Sequence, residues 1–171
     1  PGHMRRSGLD TGADWREQSL AALGDIDDNG VPDLLVGLPR ANIGIGAAFV
    51  FLLLADGLAA RSTELSSVQG GVGDTFPANG TPQLGRSVAR AGDGGATAAV
   101  DIAAGAPQFG SGNGAVLLAR LDSSGFALRS LRIDAEGFGL DPGFWPFLGL
   151  ACALLEGADA APSGATQQRV L

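Results

Sequence analysis

The sequence contains no lysine and no tyrosine, and it has one cysteine and one histidine among 171 residues. A single cysteine, Cys152, forms no internal disulfide bond, and zinc sites with several cysteine and histidine ligands are excluded. A serine–histidine or cysteine–histidine catalytic pair would depend on His3. That residue lies in the segment PGHM, which is typical of a tag remnant, so it is a poor candidate for catalysis.

Positive charge is also scarce, since 11 arginines stand against 18 acidic residues and the formal net charge is −7. Nucleic acids and anionic membranes attract proteins through clustered basic side chains. We therefore expect neither as a partner. No apolar run reaches the roughly 18 residues that a membrane-spanning helix needs, so we expect no membrane insertion. The sequence shows no signal peptide.

Hydrophobic residues make up 45% of the chain, and 28 residues are glycine. The length and the apolar content are sufficient for one domain with a core of its own. Glycine destabilises a helix interior by about 1 kcal/mol relative to alanine. Abundant glycine without a collagen-like period therefore favours an all-β fold with many tight turns.

An internal repeat organises the chain. The segment Ser19–Gly57 aligns without a gap on Ser87–Gly125, at an offset of 68 residues. The offset is constant at five identical pairs: Asp25 and Asp93, Asp33 and Asp101, Gly37 and Gly105, Pro39 and Pro107, Gly57 and Gly125. Each unit reads as four short strands separated by glycine-rich turns, which is typical of a β-propeller blade. A helix over AAFVFLLLADGLAA is the alternative, and the glycine that interrupts both units argues against it.

The repeat predicts an all-β fold, a partial β-propeller of about two and a half four-stranded antiparallel blades. We assign residues 1–14 to a tag remnant and flexible N-terminus, 15–79 to the first repeat, 80–144 to the second and 145–171 to a truncated third. An incomplete propeller exposes strand edges and an apolar blade face. We therefore expect homo-oligomers that complete the propeller.

Aromatic residues are concentrated in the segment 137–149, which contains Phe138, Phe144, Trp145 and Phe147. Repeat folds bury aromatic side chains between units, so packing between blades is the favoured interpretation. A surface for a glycan or a protein partner is the alternative.

The loop DIDDNGVPD supplies the candidate metal ligands. Asp25, Asp27, Asn29 and Asp33 occupy its positions 1, 3, 5 and 9, and the carbonyl of Val31 stands at position 7. These oxygens are the ligands that Ca²⁺ prefers, whereas Mg²⁺ demands stricter octahedral geometry and softer metals favour His or Cys. Gly30 permits the sharp reversal of the chain. The sequence predicts one Ca²⁺ site per chain.

Two rivals to this interpretation differ in strength. An EF-hand needs a glutamate at position 12, where this chain has Val36. A turn rich in aspartate and asparagine that binds no metal stays open. The second loop, residues 93–101, keeps Asp93 and Asp101 but has Gly95 and Thr97 at positions 3 and 5. We expect no metal there, and expect its two aspartates to accept backbone N–H bonds within the turn.

These motifs resemble the FG-GAP repeat of integrin α-chain β-propellers and their bacterial relatives. The resemblance rests on the loop from Asp25 to Leu34, on Gly105-Ala106-Pro107 and its variant Gly37-Leu38-Pro39, and on the strands GAAFVF and GAVLLA. It covers about residues 15–171. The Phe-Gly of the family pattern is present only as Leu84-Gly85 and Leu148-Gly149.

The resemblance implies a calcium-binding, non-enzymatic module for adhesion or protein recognition. It also implies an extracellular or cell-surface location and an unidentified protein or glycan ligand. The alternatives are a non-catalytic scaffold or assembly fragment, and an accessory part of a carbohydrate-active or lipid-cleaving extracellular enzyme.

Overall fold

A computed structural model describes residues 17–77, 80–92, 99–137 and residue 139. The predicted tag remnant, the truncated third repeat and the aromatic residues Phe138, Phe144, Trp145 and Phe147 lie outside these ranges. The described part is all-β, as predicted, with eight strands and two four-residue helical segments. The elements are β1 (Ser19–Gly24), β2 (Asp33–Leu38), α1 (Ala41–Gly44), β3 (Ala47–Leu53), β4 (Ala59–Leu65), β5 (Val88–Gly92), β6 (Val100–Ala106), α2 (Phe109–Gly112), β7 (Ala115–Leu121) and β8 (Ala127–Asp134).

The strands form two four-stranded antiparallel sheets, in the order β1-β2-β3-β4 and β5-β6-β7-β8. The first sheet lies within residues 15–79 and the second within 80–144. The helical alternative for AAFVFLLLADGLAA is wrong, because this segment forms β3, a turn and the start of β4. Gly57 in that turn has φ +80°, a left-handed conformation that ends any helix and reverses the chain.

The duplication seen in the sequence is preserved in the strand register. Leu34 of β2 lies opposite Phe51 of β3, and Ile102 of β6 lies opposite Ala119 of β7, each residue being 68 positions after its counterpart. The first strand pair of each sheet also contains a bulge at the same place, next to Gly24 and Gly92. The two units are therefore copies of one supersecondary structure.

Two short helical segments stand where glycine-rich turns were expected between the second and third strands of each unit. In α1, Asn42 and Ile43 have left-handed backbone angles, with φ 52° and 60°. The counterpart of Asn42 in α2 is Gly110, with φ 60°. The first unit thus uses non-glycine residues at a position where glycine is the less strained choice.

The main hydrophobic core lies between the two sheets. Leu35 and Val50 of the first sheet, Ile102 and Leu117 of the second, and Phe76 of the segment that joins them are all at most 1% exposed. One continuous cluster therefore joins both sheets and their connection. A smaller cluster, which includes Val36 and Phe49, lies on the other face of the first sheet.

The two sheets contact each other through opposite faces of the repeated unit. The second sheet meets the first through the face that carries Ile102 and Leu117. Their counterparts in the first unit, Leu34 and Phe49, lie on the face that points away from the second sheet. The contact therefore joins two different faces of the repeated unit, head to tail, and is not a symmetric sandwich of two like faces.

Glycines permit the closest approach between the units. A Cβ atom at Gly37 of β2 would collide with the carbonyl oxygen of Gly85, and one at Gly85 would collide with the carbonyl of Ala47. The Ser19 hydroxyl donates to the same Gly85 carbonyl at 2.9 Å. Neither helical segment among the described residues has the length or the apolar character needed to cross a membrane.

Candidate metal centre

The acidic loop joins β1 to β2 and is anchored in the core by one of its own residues. Ile26, between Asp25 and Asp27, is 3% exposed and belongs to the cluster between the sheets. Its N–H donates to Oδ2 of Asp33 at 2.9 Å. The alternation of polar and apolar residues thus places Ile26 inward and holds the flanking carboxylates at the edge of the core.

Asp33, the first residue of β2, is the buried member of the site at 2% exposure. Its Oδ1 accepts the N–H of Leu53, at the end of β3, at 2.9 Å. Each carboxylate oxygen thus receives one backbone N–H, and each keeps a second lone pair for another partner. Asp33 therefore links the loop to β3 without exhausting its capacity to bind a cation.

Asp25 shapes the outer side of the loop. Its Oδ1 accepts the N–H of Asn29 at 3.0 Å, and its Oδ2 accepts the N–H of Gly30 at 2.7 Å. Gly30 has φ +85° and Asp28 has φ +60°, so the chain reverses through two left-handed residues. The glycine predicted at this reversal is confirmed in that role.

The structure brings Asp25, Asp27 and Asp33 together, with one carboxylate oxygen of each within 4.8 Å of the others. Two unit charges at that separation repel by about 3.5 kcal/mol at an effective dielectric constant of 20, and by less where solvent screens them. Oδ1 of Asp27 is buried, and it has no hydrogen-bond partner among the described residues. A buried carboxylate oxygen without a donor is costly unless a cation binds it. The triad therefore fits a metal ion.

The other two predicted ligands are in the same loop but serve it differently. Oδ1 of Asn29 accepts the N–H of Val31 at 2.8 Å, and its Nδ2 donates to the Leu53 carbonyl at 2.9 Å. Asn29 thus ties the loop to β3, as Asp33 does. Ligation by Oδ1 of Asn29 and by the carbonyl of Val31 stays a prediction.

The second unit replaces this arrangement with an ion pair. Asp101, the counterpart of Asp33, accepts two hydrogen bonds of 2.8 Å from Nε and Nη2 of Arg120. Hydrogen bonding by Arg120 lowers the pKa of Asp101 by more than burial raises it. Among the described residues, the partner of Asp101 is therefore a guanidinium, which sequence analysis did not predict; the expected bonds from the backbone of its turn would come from residues outside the described ranges and stay a prediction. Asp93 and the rest of its loop, up to residue 98, lie outside the described residues.

Arg120 is the residue that sequence reasoning missed at this position. Its counterpart in the first unit is Leu52, which is 5% exposed and packs in the core. The aligned exchange of leucine for arginine was the available signal, since it introduces a positive charge opposite an aspartate in the register of β6 and β7. The same pairing position is apolar in the unit that keeps the complete acidic loop.

Another arginine, Arg90 of the second sheet, lies close to the acidic loop of the first unit. Nη1 of Arg90, on β5, would lie 3.5 Å from a Cβ atom at Gly24, directly before Asp25. The guanidinium therefore brings one positive charge to the start of the loop. Its Nε atom is buried and has no hydrogen-bond partner in the part of the chain that the structure describes.

Comparison with known proteins adds no relative to this picture, since the chain matches no protein-family model and no curated protein sequence. The fold and the site together define a class: an all-β protein built from a duplicated four-stranded antiparallel unit, with an acidic triad in its first unit that can hold a metal ion.

Proposed function

We propose that the chain is a non-enzymatic, calcium-binding β-propeller module of the FG-GAP kind, which serves extracellular adhesion or protein recognition. The observation that carries the metal-binding part is the triad of Asp25, Asp27 and Asp33, in which one buried oxygen of Asp27 has no donor among the described residues.

The chemistry of the loop favours calcium over other cations. Three carboxylates, the amide oxygen of Asn29 and the carbonyl of Val31 form an all-oxygen set, and the exposed position of Asp25 leaves room for water. Ca²⁺ accepts six to eight oxygens in irregular geometry, whereas Mg²⁺ requires near-ideal octahedral geometry. The set contains no nitrogen or sulfur side chain of the kind that softer metals prefer.

Bound calcium would act as a structural link. The triad joins the loop between β1 and β2 to the first residue of β2, and Asp33 and Asn29 connect it to Leu53 at the end of β3. A cation at this place neutralises the carboxylates. It binds the folded chain and not the unfolded chain, so it stabilises the folded state. The expected gain is about 2.7 kcal/mol when free calcium is 100 times the dissociation constant.

The propeller and its recognition role are supported by two features. Two consecutive four-stranded meanders stacked in the same sense are what neighbouring propeller blades require. The resemblance of the loop and strands to FG-GAP repeats supplies the extracellular setting, where free calcium suits sites of modest affinity. The partner in this proposal is a protein or a glycan.

The test is isothermal titration of the whole chain with CaCl₂ and, separately, with MgCl₂. We expect one calcium per chain, with weaker or no heat from magnesium. Asp27→Asn should abolish or strongly weaken the binding, because it removes the negative charge of the carboxylate whose buried Oδ1 has no donor among the described residues. A thermal scan should show a higher melting temperature with calcium than with chelator.

Asp28→Asn is the matched control, since Asp28 is an exposed acid of the same loop and asparagine tolerates its left-handed backbone. This variant should bind calcium as the wild type does. Absence of heat with wild-type protein, or an equal loss of affinity in both variants, would contradict the proposed site.

A further inference from the structure

The turn between β7 and β8 is seated on the first sheet. The Thr63 hydroxyl of β4 donates to the carbonyl of Ser124 in this turn at 2.8 Å. Gly125 is buried against Val50 of β3, and a Cβ atom there would lie 2.7 Å from Cγ1 of Val50. The tip of one unit thus fits a receiving surface on the other.

This contact also involves charged side chains. Burial of Asp122, in the same turn, raises the pKa of its carboxyl group. Hydrogen bonds from Ser124 and Phe126 and the positive charge of Arg61 outweigh burial, so the pKa of Asp122 is lowered. Arg61 lies on β4 of the receiving sheet. The contact within the chain therefore joins an acidic turn to a strand that carries a basic residue.

The first unit has the same turn, between β3 and β4, but its tip is exposed. Asp56 and Gly57 are exposed, whereas Gly125, the counterpart of Gly57, is buried. Apart from Gly57 and its two chain neighbours, no heavy atom of the described residues lies within 4 Å of a Cβ built at Gly57. Leu54 and Leu58 on either side are 43% and 51% exposed.

The second sheet has the same receiving surface at the β7–β8 face, defined here by Leu118, Arg129 and Leu131. These residues are the counterparts of Val50, Arg61 and Thr63. Leu131 is 59% exposed, Arg129 is exposed and Leu118 is half-buried. These three residues also line one open hollow in this sheet, which is a surface shape that a protruding turn can fill.

We propose that a second copy of this chain docks head to tail, with its β3–β4 turn seated on the β7–β8 face of the first copy. The contact repeats the one already made between the two units of a single chain. This inference rests on the repeat architecture of the proposed function and not on its calcium site.

The two partner surfaces are complementary in charge and shape. Asp56 aligns with Ser124, and Asp122 aligns with Leu54. Asp56 would therefore bring a carboxylate to Arg129 from a different position of the turn than the one from which Asp122 interacts with Arg61. Gly57 offers the same small profile to Leu118 that Gly125 offers to Val50. Leu131 replaces the hydroxyl of Thr63, so this part of the contact is apolar. Because the two surfaces differ, each docked copy leaves one of each free, and the assembly grows into a ring or a filament.

Sedimentation velocity of the whole chain over a range of concentrations tests the assembly. We expect the mean mass of the wild type to rise beyond that of a dimer, both with calcium and with chelator. Leu131→Asp should remain monomeric. Leu128→Asp is the matched control, because Leu128 is 60% exposed on the same strand but lies outside the proposed contact, and it should assemble like the wild type.

Charge reversal then identifies the two surfaces. Asp56→Arg and Arg129→Glu should each weaken self-association by about tenfold or more. An equimolar mixture of the two variants should recover association through the reversed pair, and circular dichroism should show that each variant is folded. The proposal is overturned by a wild type that stays monomeric, by equal effects of Leu128→Asp and Leu131→Asp, or by a mixture no better than its components. A failed calcium titration leaves it standing.

Discussion

At the scale of single residues, the two units differ in the charged groups that surround one equivalent aspartate. Asp33 and Asp101 occupy equivalent positions at the start of the second strand of each sheet. Asp33 is buried beside two further carboxylates, whereas Asp101 is held by the guanidinium of Arg120. One exchange, Leu52 for Arg120, supplies a permanent cation in the unit whose acidic loop is incomplete. In the proposed function, a metal ion and an arginine are alternative partners for the equivalent carboxylates of the two units.

The ion pair of Asp101 predicts a dependence of stability on pH. The pKa of Asp101 in the folded chain lies below its ordinary value of 3.8, so the pair stabilises the fold above that value, and this contribution is lost as the pH falls through the folded pKa. Asp101→Asn should destabilise the chain at neutral pH by about 0.5–1 kcal/mol, since the pair is partly exposed. The difference from wild type should vanish in acid.

Urea unfolding at neutral pH and at successively lower pH measures this difference. Asp74→Asn, which alters an exposed aspartate in the segment between the sheets, is the comparison variant and should change neutral stability little. A deficit of Asp101→Asn that is the same at every pH would show that its stabilising effect does not depend on the carboxylate charge.

At the scale of the elements, close backbone contact between the units depends on glycine. Gly85 and Gly57 both have left-handed backbones, with φ +86° and +80°. Alanine at either position costs roughly 1–2 kcal/mol for that conformation. At Gly85 the added Cβ would also collide with the carbonyl of Ala47. Such overpacking raises the cost in free energy of unfolding by about a further 1–3 kcal/mol. Gly85→Ala should therefore lower the melting temperature more than Gly57→Ala does.

Thermal unfolding followed by circular dichroism compares the two variants directly. Their matched backbone angles remove conformational strain from the comparison, so the remaining difference reports the packing of the units. Equal melting temperatures would mean that the approach of β3 to the segment before β5 does not contribute to stability.

The elements were the most predictable part of the molecule, because their signals are local. Glycine and proline punctuation, alternating apolar residues and the constant offset locate all eight described strands within a few residues. The partner of Asp101, the burial of Oδ1 of Asp27 and the choice of faces that meet between the sheets were not predictable. Each depends on which side chains meet across the sheets, and pattern within one strand does not encode that. The left-handed pair at Asn42 and Ile43 was not predicted either, since asparagine adopts this conformation only occasionally and a β-branched isoleucine rarely does.

At the scale of the whole molecule, the core makes one cooperative unit of the two repeats. The cluster between the sheets includes Leu35 and Val50 from the first sheet and Ile102 and Leu117 from the second, with Phe76 from their connection. Neither sheet can bury these side chains alone. In repeat proteins, stability is approximately the sum of the units and the interfaces between neighbours. Loss of the interface should therefore unfold both sheets together.

A conservative substitution in one sheet tests this coupling. Ile102 is fully buried on β6, and Ile102→Val should destabilise the chain by about 0.5–1.5 kcal/mol. Native-state hydrogen exchange should then show that the slowest amides of β3 and β7 lose the same free energy of protection, although only β7 belongs to the altered sheet. The reason is that both open through the same global unfolding when the core is shared. If β7 lost protection and β3 kept it, the two sheets would be separate folding units and the inter-sheet cluster would not determine the stability of the first.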